Sequence, residues 1–185
     1  MENIALTGLS RAGKDTVAAR LVEKHGYVRV AFADKLKEAA LKADPVIPYD
    51  LPGFGGLNHT RLSTLVDHIG WECAKDGYPE VRRFLQDYGQ TIRELDPLFW
   101  VKAAWPQVRA AQVQGRPLVF TDVRYQNEAD YLTMHGFDIV RVKRPGQTPG
   151  SHPSEREMLD YPADHEIVNG GSLEGVAGLA DSLVV

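Results

Sequence analysis

Gly8-Leu9-Ser10-Arg11-Ala12-Gly13-Lys14-Asp15-Thr16 is the stretch on which the fold turns. Before it lies Ile4-Ala5-Leu6, an apolar run that reads as a short buried strand. After it, Val17-Ala18-Ala19-Arg20-Leu21-Val22 reads as a helix. A strand, a glycine loop ending in lysine, and a helix are the parts of a phosphate-binding loop. Gly8 and Gly13 permit the backbone turns that aim several N–H groups at one anion. The helix adds the positive end of its dipole, and Lys14 is placed to reach the terminal phosphates of a nucleotide. One position departs from the common pattern: Asp15 stands where Ser or Thr usually follows the lysine, and Thr16 comes one later. The competing reading is a glycine turn that merely joins a strand to a helix.

The bulk properties narrow the field. A chain of 185 residues suffices for one domain with a sizeable core and one insertion. The net charge of −4 argues against a broad nucleic-acid or membrane surface, so any charge that binds phosphate must be local. Cys73 is the single cysteine, which excludes an internal disulfide and suits a reducing cytoplasm. The start Met1-Glu2-Asn3-Ile4 lacks the basic region of a signal peptide, and no apolar run is long enough to span a bilayer. We therefore expect a cytoplasmic location, with no nucleic-acid or membrane partner.

Going outward from the loop, Gly26 ends the first helix and Tyr27 to Phe32 reads as a second strand. Asp34 is expected to cap a helix reaching about Lys42, which Pro45 stops. Residues 44–59 hold Pro45, Pro48, Pro52, Gly53, Gly55 and Gly56 and read as a loop. Leu62, Leu65, Val66, Ile69 and Cys73 share one face of a helix over 61–74. Pro79 opens another to about Tyr88, followed by a polar connection, Gly89 to Arg93. Asp96-Pro97 reads as the start of a Trp- and Ala-rich helix that Pro106 kinks. Its Trp100 and Trp105, with Phe99 and with Trp71 upstream, read as core rather than a base-stacking platform. Pro117 to Thr121 is a buried strand ending at Asp122. A helix follows from about Asn127 to Gly136, then a strand over 137–142. Residues 145–163 are irregular, Glu166-Ile167-Val168 is a last short strand, and Ser172 caps a final helix. Strands alternating with helices imply an α/β fold with a parallel sheet covered on both faces. In such sheets ligands bind at the carboxyl ends of the strands, where Gly8, Asp34, Asp122 and Arg144 fall.

These positions suit phosphoryl transfer, which needs positive charge on the oxygens that gain charge more than it needs covalent chemistry. Asp122 ends an apolar strand, as an acid does when it holds Mg²⁺ near a phosphate loop; capping the next turn is its plainer role. Asp15 would repel a nucleotide unless a metal or a basic group stands between them, so it is expected in the metal shell or at the acceptor phosphate. A favourable charge in the first helical turn is its alternative. Arg11, Lys35, Lys37, Arg83, Arg93, Arg124 and Arg144 are candidate phosphate ligands or, individually, solvated surface charges. Arg124, two residues after Asp122, is the best placed. A loop around His152-Pro153-Ser154-Glu155 could close over the nucleotide and exclude water; a metal pair of His152 and Glu155 lacks further ligands.

Four motifs resemble those of the bacteriophage-type deoxynucleoside monophosphate kinases of the P-loop kinase superfamily. They are Gly8-x4-Gly13-Lys14-Asp15-Thr16, Phe32-Ala33-Asp34-Lys35-Leu36-Lys37, Thr121-Asp122-Val123-Arg124-Tyr125-Gln126-Asn127-Glu128, and His152-Pro153-Ser154-Glu155 with Ile167-Val168-Asn169-Gly170-Gly171-Ser172 behind it. They span nearly the whole chain in order, and the Asp-x-Arg-x-x-Asn-Glu string is the most specific. The Gly-Lys-Asp-Thr variant at Asp15 is typical of the group.

The resemblance implies a three-layer P-loop kinase sandwich with a central parallel sheet. One domain would have a core of about 1–33 and 117–185, a helical monophosphate-binding insertion of about 34–105, and a lid of about 144–160. It implies transfer of the γ-phosphate of ATP to a deoxynucleoside 5′-monophosphate. Gly8, Arg11, Ala12, Gly13, Lys14, Asp15 and Thr16 would hold ATP, with Asn169 and Gly170 at its adenine. Asp15, Thr16 and Asp122 would hold Mg²⁺. Asp34, Lys35, Arg83, Arg124, Asn127 and Glu128 would serve the monophosphate, with Glu128 at sugar or base. Lys14, Asp15, Arg124 and Arg144 would be catalytic, and a homodimer is compatible with the reading. A P-loop kinase of another small acceptor, such as dephospho-coenzyme A or phosphomevalonate, is the runner-up. A nucleotide-dependent switch or DNA-associated ATPase is a third reading, disfavoured by the acidic charge and by the lack of an Asn-Lys-x-Asp motif.

Overall fold

A computed structural model describes residues 2–50, 56–150 and 153–184. In chain order the elements are β1 (Asn3–Thr7), α1 (Lys14–His25), β2 (Val28–Val30), α2 (Phe32–Ala43), β3 (Val46–Asp50), β4 (Leu57–Arg61), α3 (Leu62–Gly77), α4 (Pro79–Leu95), α5 (Phe99–Val113), β5 (Leu118–Val123), α6 (Gln126–Met134), β6 (Phe137–Lys143), β7 (His165–Val168) and α7 (Leu173–Asp181). They form two compact units, Met1–Phe32 with Val101–Val185, and Ala33–Trp100.

The first unit is an α/β fold on a five-stranded sheet of order β2-β5-β1-β6-β7, every pairing parallel. The inner strands β1 and β5 are buried on both faces, which is why they read as apolar runs, whereas the edge strands β2 and β7 each keep exposed positions. Ile4 and Leu6 of β1 and Val140 and Val142 of β6 face Val17, Ala18 and Leu21 of α1 and Val176 and Ala180 of α7. Alternation sends Ala5, Phe120 and Ile139 to the opposite face, where the Phe120 ring packs on Phe32 and Phe137 at 4.8 and 5.4 Å. Each such fully buried side chain contributes about 1.5–3 kcal/mol.

The chain leaves central β1 toward β2 through α1, then returns from β5 across β1 to β6 through α6. Right-handed crossovers therefore put α1 and α6 on opposite faces, and the carboxyl end of β1 becomes the point where the winding reverses. Asp181 fastens α7 to α1: its carboxylate accepts from Arg20 (2.8 and 2.9 Å), Lys24 (2.7 Å) and His25 (2.8 Å). These bonds, Arg20 first, hold it well below the usual carboxylate range.

The second unit holds α3, α4, most of α2 and an antiparallel hairpin, β3–β4, paired from Val46↔Arg61 to Asp50↔Leu57. That hairpin replaces the loop expected over 44–59. Residues 51–55, with Pro52, Gly53 and Gly55, lie outside the described residues. Pro48 sits inside β3 because a two-stranded ribbon offers edge positions that need no N–H. Ala40, Ile47, Leu62, Leu65, Ala74, Val81 and Leu85 form its core, with Trp71 against it.

Other expectations shift as well. α2 begins at Phe32, so Asp34 lies in its first turn rather than at its N-cap. α4 runs on to Leu95, and Gly89 to Arg93 are helical. Gly89 is kept there by packing: a Cβ would come within 3.2 Å of the Leu36 side chain, and its carbonyl accepts from Trp100 Nε1 at 3.2 Å. Gly70 (φ 73°, ψ 165°) breaks α3, so the apolar face read through Cys73 ends there and Cys73 is exposed. Asp96 caps a turn through the Leu98 N–H (3.1 Å), and α5 starts at Phe99 and continues through Pro106. Trp100 is buried, whereas Phe99 is exposed and Trp105 stacks edge-on against Tyr131 and His135.

Candidate active site

The phosphate loop leaves β1 pressed against its neighbour. Gly8 has φ +139°, and a Cβ there would stand 2.1 Å from the Val142 carbonyl oxygen of β6. Gly13 (φ +109°) precedes α1, and its Cβ would meet Asn169 Nδ2 at 2.5 Å. Between them Arg11 adopts φ 61°, an uncommon conformation for a residue with a side chain. Asn169 is buried and holds the loop in place. Its Nδ2 donates to the Ala12 carbonyl (2.9 Å), its Oδ1 accepts from the Gly171 N–H (3.0 Å), and its own N–H donates to Lys143 O (2.8 Å). Expected as an adenine contact, Asn169 has its side chain committed to the loop backbone, while Gly170 beside it is exposed.

Lys14 curls back over the loop, its Nζ donating to Gly8 O and Leu9 O, both at 2.8 Å. Burial, and then the Arg124 guanidinium, lower its pKa to about 8, against the opposing pull of Asp15, Asp122 and Glu155. Those four groups are the charged surroundings of the lysine. They arrive from the first turn of α1, the end of β5, the turn after β5 and the segment after β6. Asp15 is exposed and Thr16 half-buried in that first turn, where an acid also favours the helix dipole.

A bulge positions Asp122. β1 pairs Ala5 with Phe120 but Thr7 with Val123, so β5 carries one extra residue at Thr121–Asp122. Asp122 Oδ1 accepts from the Phe32 N–H at 3.0 Å. Asp15, Thr16 and Asp122 give oxygen donors around the lysine of the kind Mg²⁺ takes when phosphates fill the rest of its shell. Among the described residues no group of three or more His, Cys, Asp or Glu side chains gathers as a cation cage.

Glu128 departs from its expected role. Only 3% exposed, its Oε2 accepts from the N–H groups of Arg124 (3.0 Å) and Tyr125 (3.2 Å), reaching back from the first turn of α6. It shapes the turn that carries Arg124 instead of facing sugar or base. Asn127 beside it is half-buried.

A cavity of about 380 Å³ opens at the carboxyl ends of β1, β6 and β7. Thr7 and Gly8 form one wall, Arg124 and Arg141 to Arg144 another, and Gln147, Glu155, Met158 and Leu159 of the segment after β6 close it. Two atoms on its walls, Thr7 Oγ1 and Gln147 Oε1, are buried without a hydrogen-bond partner; such atoms suit a ligand or ordered water. The closing segment includes a single 3-10 turn, Pro153–Glu155. Residues 151–152, and with them the expected His152, lie outside the described residues. Sequence reading missed Thr7, Arg141 and Gln147. Thr7 carried one signal, a polar residue ending an apolar strand. Arg141 carried none: it sits mid-strand and donates to the Met158 (3.0 Å) and Tyr161 carbonyls.

Three expected acceptor residues lie in the second unit. Asp34 is in the first turn of α2, Lys35 pairs with Glu38 (2.9 Å), and Arg83 pairs with Glu80 (2.7 Å) and Asp87 (3.4 Å) on the exposed face of α4. These partners of Lys35 and Arg83 lie on the same helices as the cations themselves.

Comparison with known proteins identifies the family. A family model described as deoxynucleotide monophosphate kinase matches residues 63–178. A protein of Acanthamoeba polyphaga mimivirus named "Putative deoxynucleotide monophosphate kinase" is 25% identical over 181 residues, covering 92% of this chain and 90% of its own. An uncharacterised protein of Ictalurid herpesvirus 1, ORF76, is 28% identical over 160 residues, covering 83% of this chain; the match spans only 65% of that protein's length. Among solved structures, shikimate kinase from Aquifex aeolicus (12% identity, covering 97% of this chain and 96% of its own, TM-score 0.43) and a gluconokinase from Sinorhizobium meliloti (15%, 98% and 95%, TM-score 0.45) overlap too loosely to carry an argument. With the family model covering well over half of its length, the chain is a P-loop kinase and belongs to the deoxynucleotide monophosphate kinase family.

Proposed function

We propose that the chain moves the γ-phosphoryl group of ATP onto a deoxynucleoside 5′-monophosphate by direct in-line transfer. A phosphate oxygen of the acceptor attacks the γ-phosphorus, the bond to the β–γ bridging oxygen breaks, and ADP and a deoxynucleoside diphosphate leave. The observation that carries this reading is the convergence of Lys14, Arg124, Asp15 and Asp122 at the reversal point of the sheet, where the phosphate loop meets a cavity. Lys14 leaves its two loop carbonyls for the β- and γ-phosphates, and Arg124 holds the acceptor phosphate and, with Arg144, neutralises the charge that develops in transfer. Asp15, Thr16 and Asp122 would hold Mg²⁺, which would supply positive charge against the transferred phosphoryl group. The segment after β6 keeps water from the γ-phosphorus, so that transfer outruns hydrolysis. The family match and the mimivirus relative support the choice of acceptor.

The test is ATP consumption against a panel of the four deoxynucleoside monophosphates, dephospho-coenzyme A and phosphomevalonate. Turnover with one or more of the deoxynucleotides is expected. Turnover with dephospho-coenzyme A or phosphomevalonate alone would move the chain to the second kind of kinase.

A further inference from the structure

The geometry points to Glu157 as a positioning residue that ties the cavity-closing segment to the backbone carrying Arg124; the inference rests on the acceptor role proposed for that arginine. Three consecutive N–H groups, those of Arg124, Tyr125 and Gln126, open α6. Glu128 takes the first two. The third, from Gln126, is taken at 3.0 Å by Oε1 of Glu157, a residue 31 positions away in the segment after β6. Gln126 returns the bond, its Nε2 donating to the Glu157 carbonyl at 3.1 Å. The next residues in sequence, Met158 and Leu159, line the cavity, and the Met158 carbonyl accepts from Arg141. Glu157 thus faces α6 while its neighbours face the cavity.

Two consequences follow. The N-terminus of α6, a ready anion site in itself, has these donors spent on two protein carboxylates, so substrate phosphate meets this corner through the Arg124 side chain. The direction of that side chain also depends on a backbone turn that the cavity-closing segment holds from one side. A shift of the segment would be felt at the guanidinium, and an acceptor phosphate on the guanidinium would favour the seated segment.

The experiment is a double-mutant cycle on the full chain. Glu157→Ala should raise KM for the deoxynucleoside monophosphate about five- to tenfold, the worth of one exposed hydrogen bond, with KM for ATP unchanged and Tm lowered by no more than about 4 °C. Glu157→Gln keeps an oxygen that accepts from Gln126 and should recover most of the loss. In an Arg124→Ala background, Glu157→Ala should add almost nothing. Full additivity in that background, or a Tm loss with both KM values unchanged, would overturn the inference. A wild-type chain that turns over no deoxynucleotide sinks the proposed acceptor instead, and is read before any variant. Amide hydrogen exchange needs no turnover: it should speed up at Gln126 in Glu157→Ala, and protection equal to wild type would count against the tie.

Discussion

The phosphate loop and the segment after β6 face each other across one cavity, yet they are held by different means. The loop is fixed at the backbone. Gly8 lies against a strand carbonyl, Gly13 against a buried asparagine, and Lys14 bonds two of the loop's own oxygens. The segment is fixed by scattered side chains: Gln147 to Ser10 O, Glu157 to α6, and Tyr161 Oη to Asp130 at 2.9 Å. Backbone contact tolerates no replacement, whereas a side-chain hydrogen bond can be lost at about 0.5–1.5 kcal/mol. Substitutions should therefore fall into two size classes.

Gly8→Ala is the severest test. The added carbon has no room beside the Val142 oxygen, and φ +139° is closed to alanine, so β1 and β6 must part or the loop must refold. A loss of about 3 kcal/mol or more is expected, a fall in Tm of roughly 10 °C for a chain of this size, together with loss of ATP binding. A thermal melt decides it; a variant that melts like wild type would mean the close approach does not constrain the loop.

Lys14 separates the chemistry of the loop from its stability. Lys14→Ala should cut turnover by about 10²–10³-fold and leave Tm within a few degrees. The pH dependence carries a sign of its own. Because its folded-state pKa is lowered to about 8 from 10.5, the unfolded chain binds more protons between those values, and stability should rise with pH across that window. Phosphate affinity needs the ammonium and should fall across the same window, so KM for ATP climbs above about pH 8 while Tm holds or rises. A parallel loss of both would mean that unfolding, not deprotonation, limits the enzyme.

The same contrast explains what the residues reveal on their own. Gly8, Gly13 and Lys14 are legible because their backbone conformations and their spacing to one lysine admit few residue types. β1 and β5 are legible because burial on both faces makes them apolar runs. The hairpin β3–β4 was hidden by its prolines and glycines, which signal a turn but not the strands flanking it. Glu128 looked like a substrate residue since a capping carboxylate and a binding carboxylate are the same side chain; only its reach back to the N–H groups of Arg124 and Tyr125 tells them apart. Asn169 was read as an adenine contact, and its attachment to the Ala12 carbonyl depends on β7 lying beside β6, a pairing that no local pattern encodes.

Gln147 is where the comparison can be made finest. Its Nε2 donates to Ser10 O at 2.9 Å, joining the closing segment directly to the phosphate loop, but its Oε1 is buried on the cavity wall with no partner. The bond contributes about 1 kcal/mol, and the stranded oxygen costs a similar amount. The two nearly cancel, so Gln147→Ala should change Tm by no more than about 2 °C and KM for ATP by no more than about threefold. A loss approaching that of Gly8→Ala would put Gln147 among the loop's own supports and erase the distinction between backbone and side-chain anchoring. If the segment instead lifts from the loop at little thermal cost, faster amide exchange over 145–150 with an unshifted melt will show it, and the tie is then a contact that a bound nucleotide can replace at Ser10 without strain.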